Sequence, residues 1–166
     1  MKKVIILILI FTGLSSLKAQ VGMGKASVDG DAILDFPVST KGIILPIVEA
    51  LPTGAAATNG TLLLDKTDIT IKMRENNLWV PLSDAGNLTG TMPNTSAETG
   101  GGVIIGAASS SAQGVLILES ISKALVLPKV NDPVANMKSP VAGTICYDTV
   151  SKTMAVFDGL NWSFWK

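Results

Sequence analysis

The chain has 166 residues, with 13 basic and 13 acidic side chains, no histidine and one cysteine. Without histidine, Ser-His-Asp and Cys-His nucleophile arrangements and zinc sites that need imidazole are excluded. Scattered charge with no basic stripe argues against a nucleic-acid or anionic-membrane partner, and Cys146, alone in the apolar run "TICYD", can form no internal disulfide and reads as a buried, inert thiol.

In chain order, Met1-Lys2-Lys3 opens a positive start, residues 4–14 ("VIILILIFTGL") are apolar, and "SSLKAQ" follows. That is the layout of a secretory signal peptide, with the run too short to span a bilayer comfortably. Residues 1–19 are therefore predicted to be removed after Ala19, leaving Gln20 first and no membrane span. The protein is expected to be exported, to the periplasm, the cell surface or the outside. No cysteine lies near the cut, so a lipid anchor is not expected. Loss of Lys2, Lys3 and Lys18 leaves acidic side chains in excess by three.

Residues 20–82 read as a first β module. Leu34, Phe36 and Val38 alternate with Asp35 and Pro37, which predicts a strand with one apolar face. "TLLLD" and Ile69, Ile71 and Met73, joined by the polar "DKTD", predict a hairpin. "ENN" then turns the chain into "LWVPL", a third strand. Residues 83–102 are rich in Gly, Ser, Thr and Asn without apolar period, and read as a flexible linker. Residues 103–166 form a second β module whose meander runs "TICYD", "TMAVF" and "WSFW". Its Asp158-Gly159 is a strong tight-turn signal. The predicted fold class is all-β: two tandem small modules, each with a three-stranded meander.

The modules are copies. "AILDFPVSTKGIILPIV" at 32–48 aligns with "GVLILESISKALVLPKV" at 114–130, sharing Leu34/Leu116, Lys41/Lys123, Leu45/Leu127, Pro46/Pro128 and Val48/Val130. The offset is 82 up to that proline and 83 from Gly60/Gly143 onward, so one inserted residue in the connector explains the change. Modules of about sixty residues without disulfide or metal are marginal alone. Either the two copies pack on each other, or identical chains pack side by side.

The segments "AQVGMG", "AILDF", "STKGIILP" and "GTLLLDKTDITIKMRENNLWVPL" resemble a tandem repeat of exported Bacteroidota proteins. That repeat passes from a Gly-Ile-Gly-Thr start through Ala-Leu-Asp-Val and Leu-Ile-Tyr-Asn types to Trp-Val, and it is similar to modules of phage tail-fibre and adhesin stalks. The resemblance covers nearly the whole chain beyond residue 19, twice. It implies a fibre-like or adhesin-like structural protein of the cell surface, intertwined as a homotrimer, and it brings no catalytic residues.

Candidate chemistry is sparse. Asp65 and Asp148, shared by both copies, could pair as glycosidase carboxylates but sit where an aspartate sets a hairpin turn. Asp29, Asp31 and Asp35 are too few and too irregularly spaced for a full calcium loop, so no metal and no cofactor is expected. Trp79 and Trp162 hold equivalent positions and read as packing residues that close the meander. Trp165 has no counterpart and is the first candidate for a ligand or partner contact, with Trp162 and Trp79 behind it. "DTV" at 148–150 resembles the Bacteroidota O-glycosylation sequon and would place a sugar on Thr149. "GTLLLDK" and "GVLILES" combine high β propensity with little charge, and are plausible interface strands. No enzyme is expected. The leading expectation is a structural, adhesin-like protein acting by assembly or contact with a glycan or cell-surface protein. The alternative is a monomeric carbohydrate-binding module.

Overall fold

The computed structural model describes residues 20–91, 96–97 and 99–166. The predicted signal peptide lies outside these residues, as do residues 92–95 and 98 of the predicted linker. The described residues are all-β, made of several small sheets with no barrel among them. The first copy supplies β1 (Val21–Gly22), β2 (Leu34–Asp35), β3 (Ile43–Ile44), β4 (Ile47–Val48), β5 (Leu62–Asp65), β6 (Thr70–Glu75) and β7 (Leu78–Pro81), with a 3-10 turn at Gly54–Ala57. The second supplies β8 (Val103–Ile105), β9 (Leu116–Leu118), β10 (Lys129–Val130), β11 (Thr144–Asp148), β12 (Thr153–Phe157) and β13 (Trp162–Trp165), with a one-turn helix α1 at Pro133–Asn136.

Pairing registers recur between the copies residue by residue. β1 lies parallel to β2 with Val21 beside Leu34, and β8 lies parallel to β9 with Val103 beside Leu116. The meander β5-β6-β7 sets Asp65 opposite Thr70 and Lys72 opposite Pro81. In β11-β12-β13 the matching pairs are Asp148 with Thr153 and Ala155 with Phe164. The turns follow their residues. Asn76 and Asn77 take φ of 49° and 61°, the left-handed pair that suits a two-residue hairpin. The Asp158 carboxylate accepts from the N–H groups of Leu160 and Asn161, both at 2.7 Å.

Two local expectations change. Ile69 lies in the hairpin turn at φ 56°, and β6 starts at Thr70. The strand expected through Leu34, Phe36 and Val38 is only two residues long, Val38 is exposed, and Asp35 is buried rather than facing solvent. Pro37 has no N–H to continue a ladder, and the Asp35 carboxylate is drawn inward by the N–H of Asp29 at 2.8 Å and the Lys25 ammonium at 2.5 Å.

The two copies exchange strands. β3 pairs antiparallel with β11 of the other copy, Ile43 opposite Ile145 and Ile44 opposite Thr144. In return, Leu125 pairs in parallel with Leu34 of β2. The Ile33 N–H donates to the Ala124 carbonyl and the Val126 N–H to the Leu34 carbonyl, both at 3.0 Å. Each copy thus lends its partner the apolar segment just before its shared proline. Gly42 makes the first of these contacts possible, because a methyl group there would lie 2.6 Å from the Ile145 carbonyl oxygen.

A single buried cluster spans the join: Leu45, Leu64, Ile71 and Leu82 from the first copy, with Ala142, Ile145 and Val156 from the second. Burying a large aliphatic side chain of this kind contributes about 1.5–3 kcal/mol. The shared core therefore offsets the weakness of a sixty-residue module within one chain. A second cluster, Val130, Met137, Cys146 and Ala155, belongs to the second copy and is covered by Trp162. The predicted linker begins inside the join. The Gly86 N–H donates to the Ile69 carbonyl at 2.9 Å, the Asn87 N–H to the Asp158 carbonyl at 3.0 Å, and Leu88 packs on the shared core. Gly159 has no room for a side chain, since the Asn87 carbonyl oxygen lies 1.8 Å from where its Cβ would be.

Candidate functional site

The buried carboxylates are occupied by structural donors. Burial pushes the pKa of Asp65 up, but the Lys72 ammonium at 2.7 Å and the Thr67 N–H at 2.9 Å outweigh it and hold the group below its ordinary value. Lys72 also reaches Asp68 at 2.7 Å. Asp148 follows the same logic without a lysine. Burial raises it, while the Ser151 hydroxyl and the N–H groups of Val150 (2.9 Å), Ser151 (3.0 Å) and Asp132 (3.1 Å) bring it below the usual range. Both carboxylates stay ionised at neutral pH and fix turns. Asp35 is held low by the Asp29 N–H and then by Lys25, whose ammonium also touches the Asp29 carboxylate at 3.0 Å. A lysine thus stands among the acidic residues of the "DGDAILD" loop, and among the described residues no cluster suited to a metal ion is present. Burial, then the charge of Asp148, pushes the Cys146 thiol up to about 11, so it stays protonated and unreactive.

The tryptophans lie apart, Trp79 on a different sheet from Trp162 and Trp165. Trp79 is half-buried opposite Arg74, whose guanidinium carbon lies 5.5 Å from the ring centroid. With Leu51, Pro52, Gly54 and Asn77 they line a shallow cleft of about 450 Å³. Trp162 packs on the second cluster and meets the Phe157 ring at 5.2 Å between centroids. Trp165 and Phe164 both stay partly open to solvent. The Trp165 indole N–H donates to the Leu82 carbonyl at the end of the first copy, so this ring also bridges the copies. Thr149 is half-buried, its N–H donating to the Val130 carbonyl at 2.9 Å and its hydroxyl facing the same oxygen at 3.4 Å. The exposed residues of that hairpin tip are Val150, Ser151 and Lys152.

The second copy also carries exposed apolar surface. Val103, Val115, Leu116 and Ile121 are all exposed on and around the two-stranded sheet β8-β9. In the first copy Ile33 and Leu34, the counterparts of Val115 and Leu116, are buried beneath the segment around Leu125. Sequence reasoning missed the lysine partners of Asp35 and Asp65 and the strand exchange. The exchange falls on the unbroken apolar run before each proline, "GIIL" and "ALVL", the one sequence feature that marks it. No known protein family, curated protein or solved structure matches the chain.

Proposed function

We propose that the protein is an exported structural component of the cell surface or its surroundings, acting by assembly and contact rather than by catalysis. The observation that carries this reading is the apolar edge at Val115 and Leu116 of the β8-β9 sheet, exposed where its first-copy counterparts Ile33 and Leu34 are covered. Exposed, weakly charged strands of this kind are association surfaces. The occupied carboxylates and the protonated thiol support the absence of catalysis, and the repeat's resemblance to stalk modules supports a surface role.

A carbohydrate-binding module is the second reading, favoured by the Trp79–Arg74 cleft, which offers an indole face beside a cation. Light scattering on the protein from Gln20 onward tests the first reading. Particles of several chains are expected, three where chains associate side by side as the resemblance implies. A single chain at every concentration would contradict assembly and move attention to glycan titrations of Trp79 fluorescence.

A further inference from the structure

The strand exchange inside the chain is two-sided, and each copy uses only half of it. The first copy presents β2 to the second, and Ile33 and Leu34 fall to 2% and 1% exposure beneath residues 124–126. The equivalent residues of the second copy, Val115 and Leu116, remain 64% and 44% exposed. Conversely, the second copy receives β3 along β11, and Gly143, Thr144 and Ile145 are buried. Their counterparts in the first copy are an exposed Gly60 and half-buried Thr61 and Leu62. So one acceptor edge is open at each end of the pair, and the two are complementary by the same register that joins the copies.

We propose that chains join head to tail through this edge, the second copy of one chain receiving the first copy of the next; this deepens the assembly reading above and rests on it. Carrying the internal register across sets Leu116 beside Ile43 of the next chain, as Leu34 stands beside Leu125. The Val115 N–H then donates to the Gly42 carbonyl and the Ile44 N–H to the Leu116 carbonyl, repeating the Ile33–Ala124 and Val126–Leu34 bonds. Ile44, 57% exposed, becomes covered at the same time. The segment that must serve both sides has two distinct edges. Residue 45 donates to the Gly143 carbonyl, whereas it is residues 124 and 126 whose backbone meets β2. One edge can therefore hold the sister copy while the other holds the neighbouring chain.

The contact rests chiefly on β9. At the reciprocal pairing of residues 124–126 with Thr61 and Leu62, Ala124 replaces the tightly seated Gly42, and its methyl sets that strand pair wider. The occupant is a second copy because the surface presented by β9 has the register and apolar character of one already filled by this chain's own sequence. A contact between two different surfaces gives open rows or closed rings rather than a two-fold dimer.

The test mixes two blocked chains. Ile44→Lys blocks the inserting segment and Leu116→Lys blocks the receiving edge, with Val115→Lys repeating the second block from the adjacent position. All three sites are exposed, so melting temperatures should match the parent's and show that each variant folds. The parent's mass by light scattering should rise with concentration, and each variant alone should stay a single chain. An equimolar mixture of I44K and L116K should give particles of two chains and no larger, because one intact edge remains in each. Variants that assemble as the parent does, or that fail to combine, overturn the head-to-tail contact while leaving assembly standing. A parent that stays a single chain throughout overturns both.

Discussion

Leu64→Ala should lower the stability of the chain by about 2–5 kcal/mol and make both copies unfold together in one earlier transition. Leu64 is fully buried in the cluster that joins the copies, and one of its methyl groups lies 3.5 Å from where a Cβ on Gly143 would stand. Truncation opens a cavity at the join itself, where neither copy can collapse into it without shifting the other's strands. The loss is therefore felt as much in β11 and β12 as in β5. Urea titration followed by circular dichroism measures it. A small loss, or a transition that leaves half the signal behind, would mean that each module carries its own core. Val38→Ala, at a residue 73% exposed, serves as the control and should fall within about 0.5 kcal/mol of the parent.

Asp148→Ala should be nearly as damaging, at about 3 kcal/mol, for a different reason. Three backbone N–H groups, from Asp132, Val150 and Ser151, converge on that carboxylate. Removing the acceptor leaves partly buried donors without a partner, and each such donor costs about 1–3 kcal/mol. Asp132 is also the N-cap of α1, accepting from the Ala135 N–H at 3.1 Å, so the connector before β11 loosens with the turn after it. Asp148→Asn, which keeps one acceptor oxygen, should lose less.

The same carboxylates set the pH response. Asp35, Asp65 and Asp148 are all held below their ordinary values in the folded chain. Their contribution is then fully present above the unfolded carboxylate range, near pH 4, and is lost as pH falls through the lower folded values. The parent should be markedly easier to denature with urea at pH 3 than at pH 7, and Asp148→Asn should flatten that difference. A parent equally stable at both pH values would show that the carboxylates are not held by these partners.

Much of the fold was legible because hairpins announce themselves locally. Asn76-Asn77 and Asp158-Gly159 fix turns through their own φ values and carboxylate bonds, and Ile71 and Met73 keep the period of a half-buried strand. What could not be read was long-range. Nothing near Ile43 says that it pairs with Ile145, a hundred residues away, in place of its neighbour in sequence. Asp35 misled for a related reason: alternation puts it outward, and only the placement of Lys25 and the Asp29 N–H draws it in. Trp165, a candidate contact residue because no tryptophan stands at its position in the first copy, gives its indole N–H to the Leu82 carbonyl inside the chain, a bond that no local pattern announces. The open edge at Val115 and Leu116 was visible only as an uncharged β-prone run. Its exposure follows from which copy covers which, and that is a property of the fold.

Residue-resolved hydrogen exchange, measured at low and high protein concentration, tests most directly the claim that one strand exchange both unites the copies and joins chains. The Ile33 and Val126 amides, bonded across the copies, should be protected at every concentration. The Val115 and Ile44 amides should exchange quickly in dilute solution and gain protection as concentration rises. Rapid exchange at Ile33 and Val126, or amides at Val115 and Ile44 that ignore concentration, would contradict the account.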